Sequence, residues 1–357
     1  MINVTKTYLP PLAEYVAYLE GIWERTLVTN NGPLVVELEE KLKSYLGVKH
    51  LFFVANGTVA LQIAFKALAL RGEVITTPFS YVATTSSIAW EGCQPIYVDI
   101  HPQTLCLDAT LLERAITAET TAVVATHVYG NPCEVEAIQV LADKYGLQVI
   151  YDAAHAFGVQ HRGQSILNFG NVSALSFHAT KLFHTGEGGA IVTDDDELAF
   201  KLGYMVNFGH NGPERFWGLG INGKNSELHA AMGLCVLPNV AELIRCRQAL
   251  SNLYDQLLEG RGLAKPVISA ETTYNYAYYP VLFPDEEKLL AVMTALREQQ
   301  VFSRRYFYPA LTDLPYVRPQ QAPVAQSVAS RVLCLPLAHD LAPATVQQIA
   351  ATVINCL

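Results

Sequence analysis

Three short stretches carry residues able to do chemistry. In SALSFHATKLFHTGEGG, residues 173–189, Lys181 stands between an apolar run and a glycine cluster. Held in a partly apolar pocket, such a lysine loses its proton and attacks an aldehyde to form a Schiff base; on the surface it stays a solvated charge. In VIYDAAHA, Asp152 directly follows the apolar run Leu147 to Tyr151. A carboxylate buried there needs a cation to meet it, and a protonated ring nitrogen would serve; the other reading is a strand-end Asp that caps the next helix. The third stretch, Asn56-Gly57-Thr58, opens an apolar run of helical spacing. A glycine admits close backbone approach, and unpaired N–H groups with the helix dipole favour a phosphate; an ordinary N-cap is the alternative.

Taken together with Ser176 as a further phosphate donor, these residues supply an aldehyde partner, a counter-ion for a ring nitrogen and a phosphate cup. Those are the needs of pyridoxal 5′-phosphate (PLP). Positioning them requires an α/β domain, and from about Val48 to Val192 short β-rich runs alternate with helical stretches as in a mostly parallel sheet. HLFFVA, EVITTP, QPIYVDI, TAVVATHV, LQVIYDA, SALSFHA and GAIVTD read as strands, and 56–70 and 132–145 as helices. The three chemical stretches fall at strand carboxyl ends or helix starts, where open α/β sheets place ligands. Near Leu237 and Pro238 the pattern changes to a long helix followed by a strand, YAYYPVLF, and a second helix, DEEKLLAVMTALREQQ. The expected division is a large α/β domain over 1–240, including the N-terminal segment, and a small α+β domain over 241–357.

The chain has 357 residues, 51% of them hydrophobic and only 16% charged, a balance that anticipates an oligomer covering part of its surface. Lys and Arg number 24 against 33 Asp and Glu, a net charge of −9 that argues against a nucleic-acid-coating protein. No apolar run reaches the roughly 18 uninterrupted residues of a membrane helix, and the N-terminus lacks a signal-peptide pattern, so a cytoplasmic protein with no membrane partner is expected. Seven scattered cysteines without a C-x-x-C pair read as reduced packing residues.

The stretches NGTVAL, TTPFSYVATTS, YDAAHAFGV, SFHATK, GEGGAIVT and GINGKNSELHAAMG resemble, in that order, the motifs of the DegT/DnrJ/StrS-type sugar-nucleotide aminotransferases, which are PLP-dependent fold-type I enzymes. The resemblance covers nearly the whole chain. It implies that Lys181 holds the cofactor and shuttles the proton, that Asp152 keeps the pyridine nitrogen protonated, and that Tyr81 stacks on one ring face. By the same resemblance His155 contacts the other face or the phenolate oxygen, Gly57, Thr58 and Ser176 bind the phosphate, and Asn222 reaches the phosphate of a neighbouring subunit in a homodimer with shared active sites. Lys224 stands where much of the family has an arginine. A subgroup with histidine in place of the lysine carries out dehydration, so Lys181 favours transamination through pyridoxamine 5′-phosphate.

The resemblance implies transfer of the amino group of L-glutamate to a dTDP-linked keto-6-deoxyhexose; the diphosphate of such a substrate is a dianion, which makes Lys224 and Arg305 candidate electrostatic partners and His178 a candidate substrate contact. The N-terminal stretch, VYGNPC, YDAAHAFGV and GINGK are most similar to members that aminate carbon 4; carbon-3 enzymes share much of SFHATK and GINGKNSE. A 3-keto acceptor is therefore the alternative, and a non-catalytic or regulatory binding protein is an alternative of another class. The expected role is supply of an amino sugar for O-antigen, other lipopolysaccharide or surface glycan, or a glycosylated metabolite. Gly218-Leu-Gly-Ile-Asn-Gly223 fits G-x-G-x-x-G but lacks a preceding strand and an acidic ribose partner. His178 and His184 lack a zinc-ligand pattern, so no metal is expected.

Overall fold

The computed structural model describes residues 1–357. The seven strands expected between about Val48 and Val192 form one sheet: β1 (His50–Val54), β2 (Glu73–Thr76), β3 (Gln94–Tyr97), β4 (Thr120–Thr126), β5 (Gln148–Asp152), β6 (Val172–Ser176) and β7 (Gly189–Thr193). Their spatial order is β1-β7-β6-β5-β4-β2-β3. Strand β7 runs antiparallel to both β1 and β6, and every other pairing is parallel. Adjacent residues of β4 explain the near-continuous apolar runs: Val123 belongs to the core on one face of the sheet and Val124 to the core on the other. A parallel sheet covered on both sides leaves little place for polar residues in its central strands.

Helix α1 (Gly57–Ala67) packs across β6 and β7 and buries Ala60, Leu61, Ile63, Ala64 and Phe65. Its start sits so close to β6 that a Cβ on Gly57 would lie 3.0 Å from the Ser176 Cβ. The close approach of helix and strand therefore favours a glycine, since any side chain would push β6 back by a few tenths of an ångström.

A long helical run, Glu227–Leu258, joins α2 (Glu227–Val236) to α3 (Val240–Leu258) through a 3₁₀ turn at Leu237–Asn239 that contains Pro238. By length and composition this run alone could cross a membrane, yet 56% of its most apolar window is buried inside the fold. Beyond it, strands β8 (Tyr279–Leu282) and β9 (Val332–Leu335) pair antiparallel, and helices over Glu286–Glu298 and Pro343–Asn355 cover them. Leu250, Tyr254, Leu289, Leu333, Val346 and Val353 form a separate core there. The strand Ile2–Asn3 pairs with Val301–Phe302, and the Leu337 N–H bonds the Val4 carbonyl at 3.0 Å, so the start of the chain is fastened to this C-terminal region.

All seven cysteines are free; five are buried, and only Cys246 and Cys356 are half-buried. At the edge of the sheet, Glu39 accepts the Phe53 N–H at 2.7 Å. Burial pushes its carboxyl up to about 7, against the opposing pull of that hydrogen bond and of Lys43. Because the folded pKa lies above the unfolded one, the folded chain binds more protons between about 4.5 and 7, and stability falls as pH rises through that window. Glu39→Gln is expected to abolish the decline and leave the variant more stable above pH 7, by roughly 2 kcal/mol. Chemical denaturation at pH 5 and pH 8 checks it; an identical pH dependence in both proteins counts against it.

Candidate active site

A cavity of about 510 Å³ opens at the carboxyl ends of the central strands. Lys181, Asp152, Gly57, Thr58, Tyr81, His155, Ser176 and His178 all line it, although they come from four separate segments of the chain. Arg304, Tyr306, Phe307 and Tyr278 close its far side.

Lys181 sits in the turn after β6, where its N–H bonds the His178 carbonyl at 2.8 Å. Loss of water around its amine pushes the pKa down to about 8, with Asp152 pulling the other way. About a tenth of the amine is therefore unprotonated at pH 7, against far less than a hundredth for an ordinary lysine, and the free amine is the form that attacks a carbonyl carbon. His155 is neutral, its pKa held well below the usual histidine range by burial and then by the Lys181 charge. Its Nδ1 accepts the Tyr129 N–H at 3.2 Å, so the single ring proton sits on Nε2.

Asp152 ends β5, and its two oxygens are held separately. Oδ1 accepts the Ala154 N–H at 3.1 Å and Oδ2 accepts the Thr84 hydroxyl at 2.5 Å. Behind Thr84 stand Ser80 at 2.9 Å and Thr126, 3.0 Å from Ser80. Sequence reading missed these three hydroxyls because their partners lie in different segments.

At the start of α1, Asn56 caps the helix by accepting the Val59 N–H at 2.9 Å. The cap and the phosphate site are compatible: the Gly57 and Thr58 N–H groups are left without partners in the helix and face the cavity with Ser176. A reactive amine, a carboxylate and an anion-binding helix start thus surround one space. The donor set fits PLP, whose aldehyde, ring nitrogen and phosphate need those three groups.

Other residues singled out in the sequence lie elsewhere. Arg305 is outside the cavity; its guanidinium donates to Glu286 Oε1 at 2.6 Å and to the Ser330 carbonyl at 2.7 Å, and lies 3.4 Å over the Tyr308 ring. Asn222 and Lys224 are also outside it, bonded to each other at 2.7 Å on an outer segment anchored by the Ala55 N–H to Gly223 carbonyl bond. His178 is at the mouth, 2.8 Å from Thr180 and 3.7 Å from Glu187. The Gly218–Gly223 stretch is a loop, with no strand leading into a helix.

The model of the DegT/DnrJ/EryC1/StrS aminotransferase family matches residues 13–354. The chain belongs to that family. It is accordingly a PLP-dependent aminotransferase. Among curated relatives it is 43% identical to a dTDP-4-amino-4,6-dideoxy-D-glucose transaminase of Shigella dysenteriae, over 99% of this chain and 98% of the relative. It is 41% identical to an enzyme of the same name from Escherichia coli, over 95% and 94% of the two chains. A crystal structure of DesI in the presence of its TDP-sugar product superposes with a TM-score of 0.94, at 32% identity, over 99% of this chain and 92% of that one. The aminotransferase fold and cofactor expected from the motifs are confirmed by these matches.

Proposed function

We propose that this chain moves the amino group of L-glutamate to carbon 4 of dTDP-4-keto-6-deoxy-D-glucose, giving dTDP-4-amino-4,6-dideoxy-D-glucose. The observation that carries the reading is the pair of relatives of that name, matched end to end at 43% and 41% identity. Bound PLP supplies an electron-accepting ring that lets the amino-bearing carbon release its proton. Lys181 provides the amine that takes the aldehyde and, once displaced by the donor, removes and returns that proton. Its pKa of about 8 leaves it able to do both near neutrality. Asp152 holds a positive ring nitrogen, Tyr81 covers one ring face, and the Nε2–H of His155 is free to donate.

For the sugar-nucleotide's diphosphate we assign Arg304, the arginine that lines the cavity where Arg305 does not. Its guanidinium lies 5.0 Å over the Tyr306 ring, an arrangement that holds its planar face while leaving N–H donors free. Arg304→Ala is expected to raise the KM for the keto-sugar about tenfold with kcat little changed. An unchanged KM would remove the assignment.

The same reading makes the enzyme a cytoplasmic homodimer that feeds an amino sugar into O-antigen or another surface glycan. The outer segment bearing Asn222 carries exposed Phe216, Trp217 and Leu219, apolar side chains suited to cover by a second copy. In that dimer Asn222 and Lys224 would serve the partner's cavity.

The test is a two-step assay on purified holoenzyme. L-Glutamate should bleach the yellow colour with release of 2-oxoglutarate, and dTDP-4-keto-6-deoxy-D-glucose should restore it with formation of the 4-amino sugar. Bleaching that the 3-keto isomer reverses, and the 4-keto sugar does not, would move the reaction to carbon 3.

A further inference from the structure

Asp152 is the end of a chain of three hydroxyls whose hydrogens have only one consistent arrangement. A carboxylate cannot donate, so Thr84 must give its single hydrogen to Asp152 Oδ2 across 2.5 Å. Its hydrogen spent, Thr84 can only accept from Ser80 at 2.9 Å, and Ser80 in turn can only accept from Thr126 at 3.0 Å. Every dipole in the chain therefore points at Asp152. The three residues are 0%, 2% and 4% exposed, so little water reaches these bonds although Ser80 and Thr126 border the cavity. Dipoles aligned head to tail in a water-excluded site reinforce one another. They also come from different parts of the sheet: Thr84 from the helix Val82–Trp90, Ser80 from the turn before it, and Thr126 from the last residue of β4.

We propose that Thr84, Ser80 and Thr126 form a one-way hydroxyl relay that positions the Asp152 carboxylate and sets how firmly it grips the protonated ring nitrogen of the cofactor. The inference rests on Asp152 being the partner of that nitrogen. Thr84 pins Oδ2 from one side while the Ala154 N–H pins Oδ1 from the other, so the carboxyl plane is fixed before the cofactor arrives. Preorganisation of this kind avoids the cost of orienting the carboxylate during binding. Thr84, Ser80 and Thr126 are positioning residues that act through Asp152.

The test compares the affinity of the cofactor-free protein for PLP with that for its 1-deaza analogue, in which C–H replaces the ring nitrogen. Covalent capture by Lys181 and the phosphate contacts are common to both ligands and cancel in the ratio. Isothermal titration should show wild-type protein preferring PLP. In Thr84→Val, which keeps the shape and removes the donor, PLP affinity is expected to fall about tenfold or more with the affinity for the analogue unchanged. Thr84→Ser should restore the wild-type ratio. Ser80→Ala, which leaves the last bond but removes its support, should lower the ratio by about threefold.

Equal weakening for both ligands in Thr84→Val would mean a merely structural role and overturn the relay, as would an unchanged ratio. Asp152→Asn separates the premise from the inference. If it collapses the preference for PLP while Thr84→Val does not, the relay fails and the counter-ion stands; if it leaves the preference intact, Asp152 is not the partner of the ring nitrogen.

Discussion

Replacing Lys181 with alanine is expected to lower amino transfer by roughly 10³-fold or more, because one amine both captures the cofactor and moves the proton. The side chain lines an open cavity, so its truncation enlarges a space already present, and the variant should fold and still bind PLP through Gly57, Thr58, Ser176 and Asp152. Lys181→Arg is expected to be as inactive, because a guanidinium keeps the charge and is never an amine nucleophile. Burial sets a pH signature as well. With the pKa pushed down to about 8, capture of added PLP by the cofactor-free protein should speed up about tenfold per pH unit below that value and level off above it. Stopped-flow absorbance follows the capture, and release of 2-oxoglutarate follows the overall reaction. Near-normal turnover in the alanine variant would show that the reactive amine is elsewhere.

The largest loss of stability is expected at Glu227. This side chain is fully buried, yet it accepts the Leu34 N–H at 3.1 Å and the Val35 N–H at 2.9 Å. Those amides open the helix Pro33–Leu46, whose own N-cap is Gly32 and offers no side-chain acceptor. A carboxylate delivered from another helix thus meets two unpaired donors and the positive end of a helix dipole, with Arg25 3.7 Å away. Gly32 makes room for it, since a Cβ there would lie 2.6 Å from the Glu227 Cδ. Glu227→Ala leaves both amides buried without partners and should cost about 2–4 kcal/mol. Glu227→Gln, which keeps an acceptor oxygen, should cost less. Urea denaturation measures both, and an alanine variant within experimental error of wild type would refute the capping role.

Much of the site was legible because chemistry and fold coincide in it. Lys181 and Asp152 follow runs of β-branched and apolar residues, so the same pattern that marks β5 and β6 also marks their carboxyl ends. Gly57 was visible as the break between β1 and a buried helix. The arginines show where such reading stops. Arg304 and Arg305 are neighbours in a segment where Arg304 bridges Cys334, and in extended chain successive side chains leave on opposite sides. Which of the two faces the cavity depends on register against β9, a fact of tertiary pairing that the sequence does not state. The hydroxyl relay was hidden for the same reason: Ser80, Thr84 and Thr126 are ordinary residues until β4 and the helix after β2 bring them together. The pairing of Ile2–Asn3 with Val301–Phe302 joins residues some three hundred positions apart and leaves no local trace.

The distribution of sulfur makes the molecule ready for distance measurements. Cys93, Cys106, Cys133 and Cys235 are buried in the N-terminal two-thirds of the chain, and the reachable thiols, Cys246 on α3 and Cys356, both belong to the C-terminal region. Burial and then Glu242 raise the Cys246 thiol above its ordinary pKa, so it reacts with maleimides slowly at neutral pH. A fluorophore or spin label on Cys356 therefore needs only Cys246→Ser and one new surface cysteine beside the cavity to become a ruler across the cleft. Such a ruler would read, in solution and in real time, whether the C-terminal region swings toward Lys181 when the sugar nucleotide arrives.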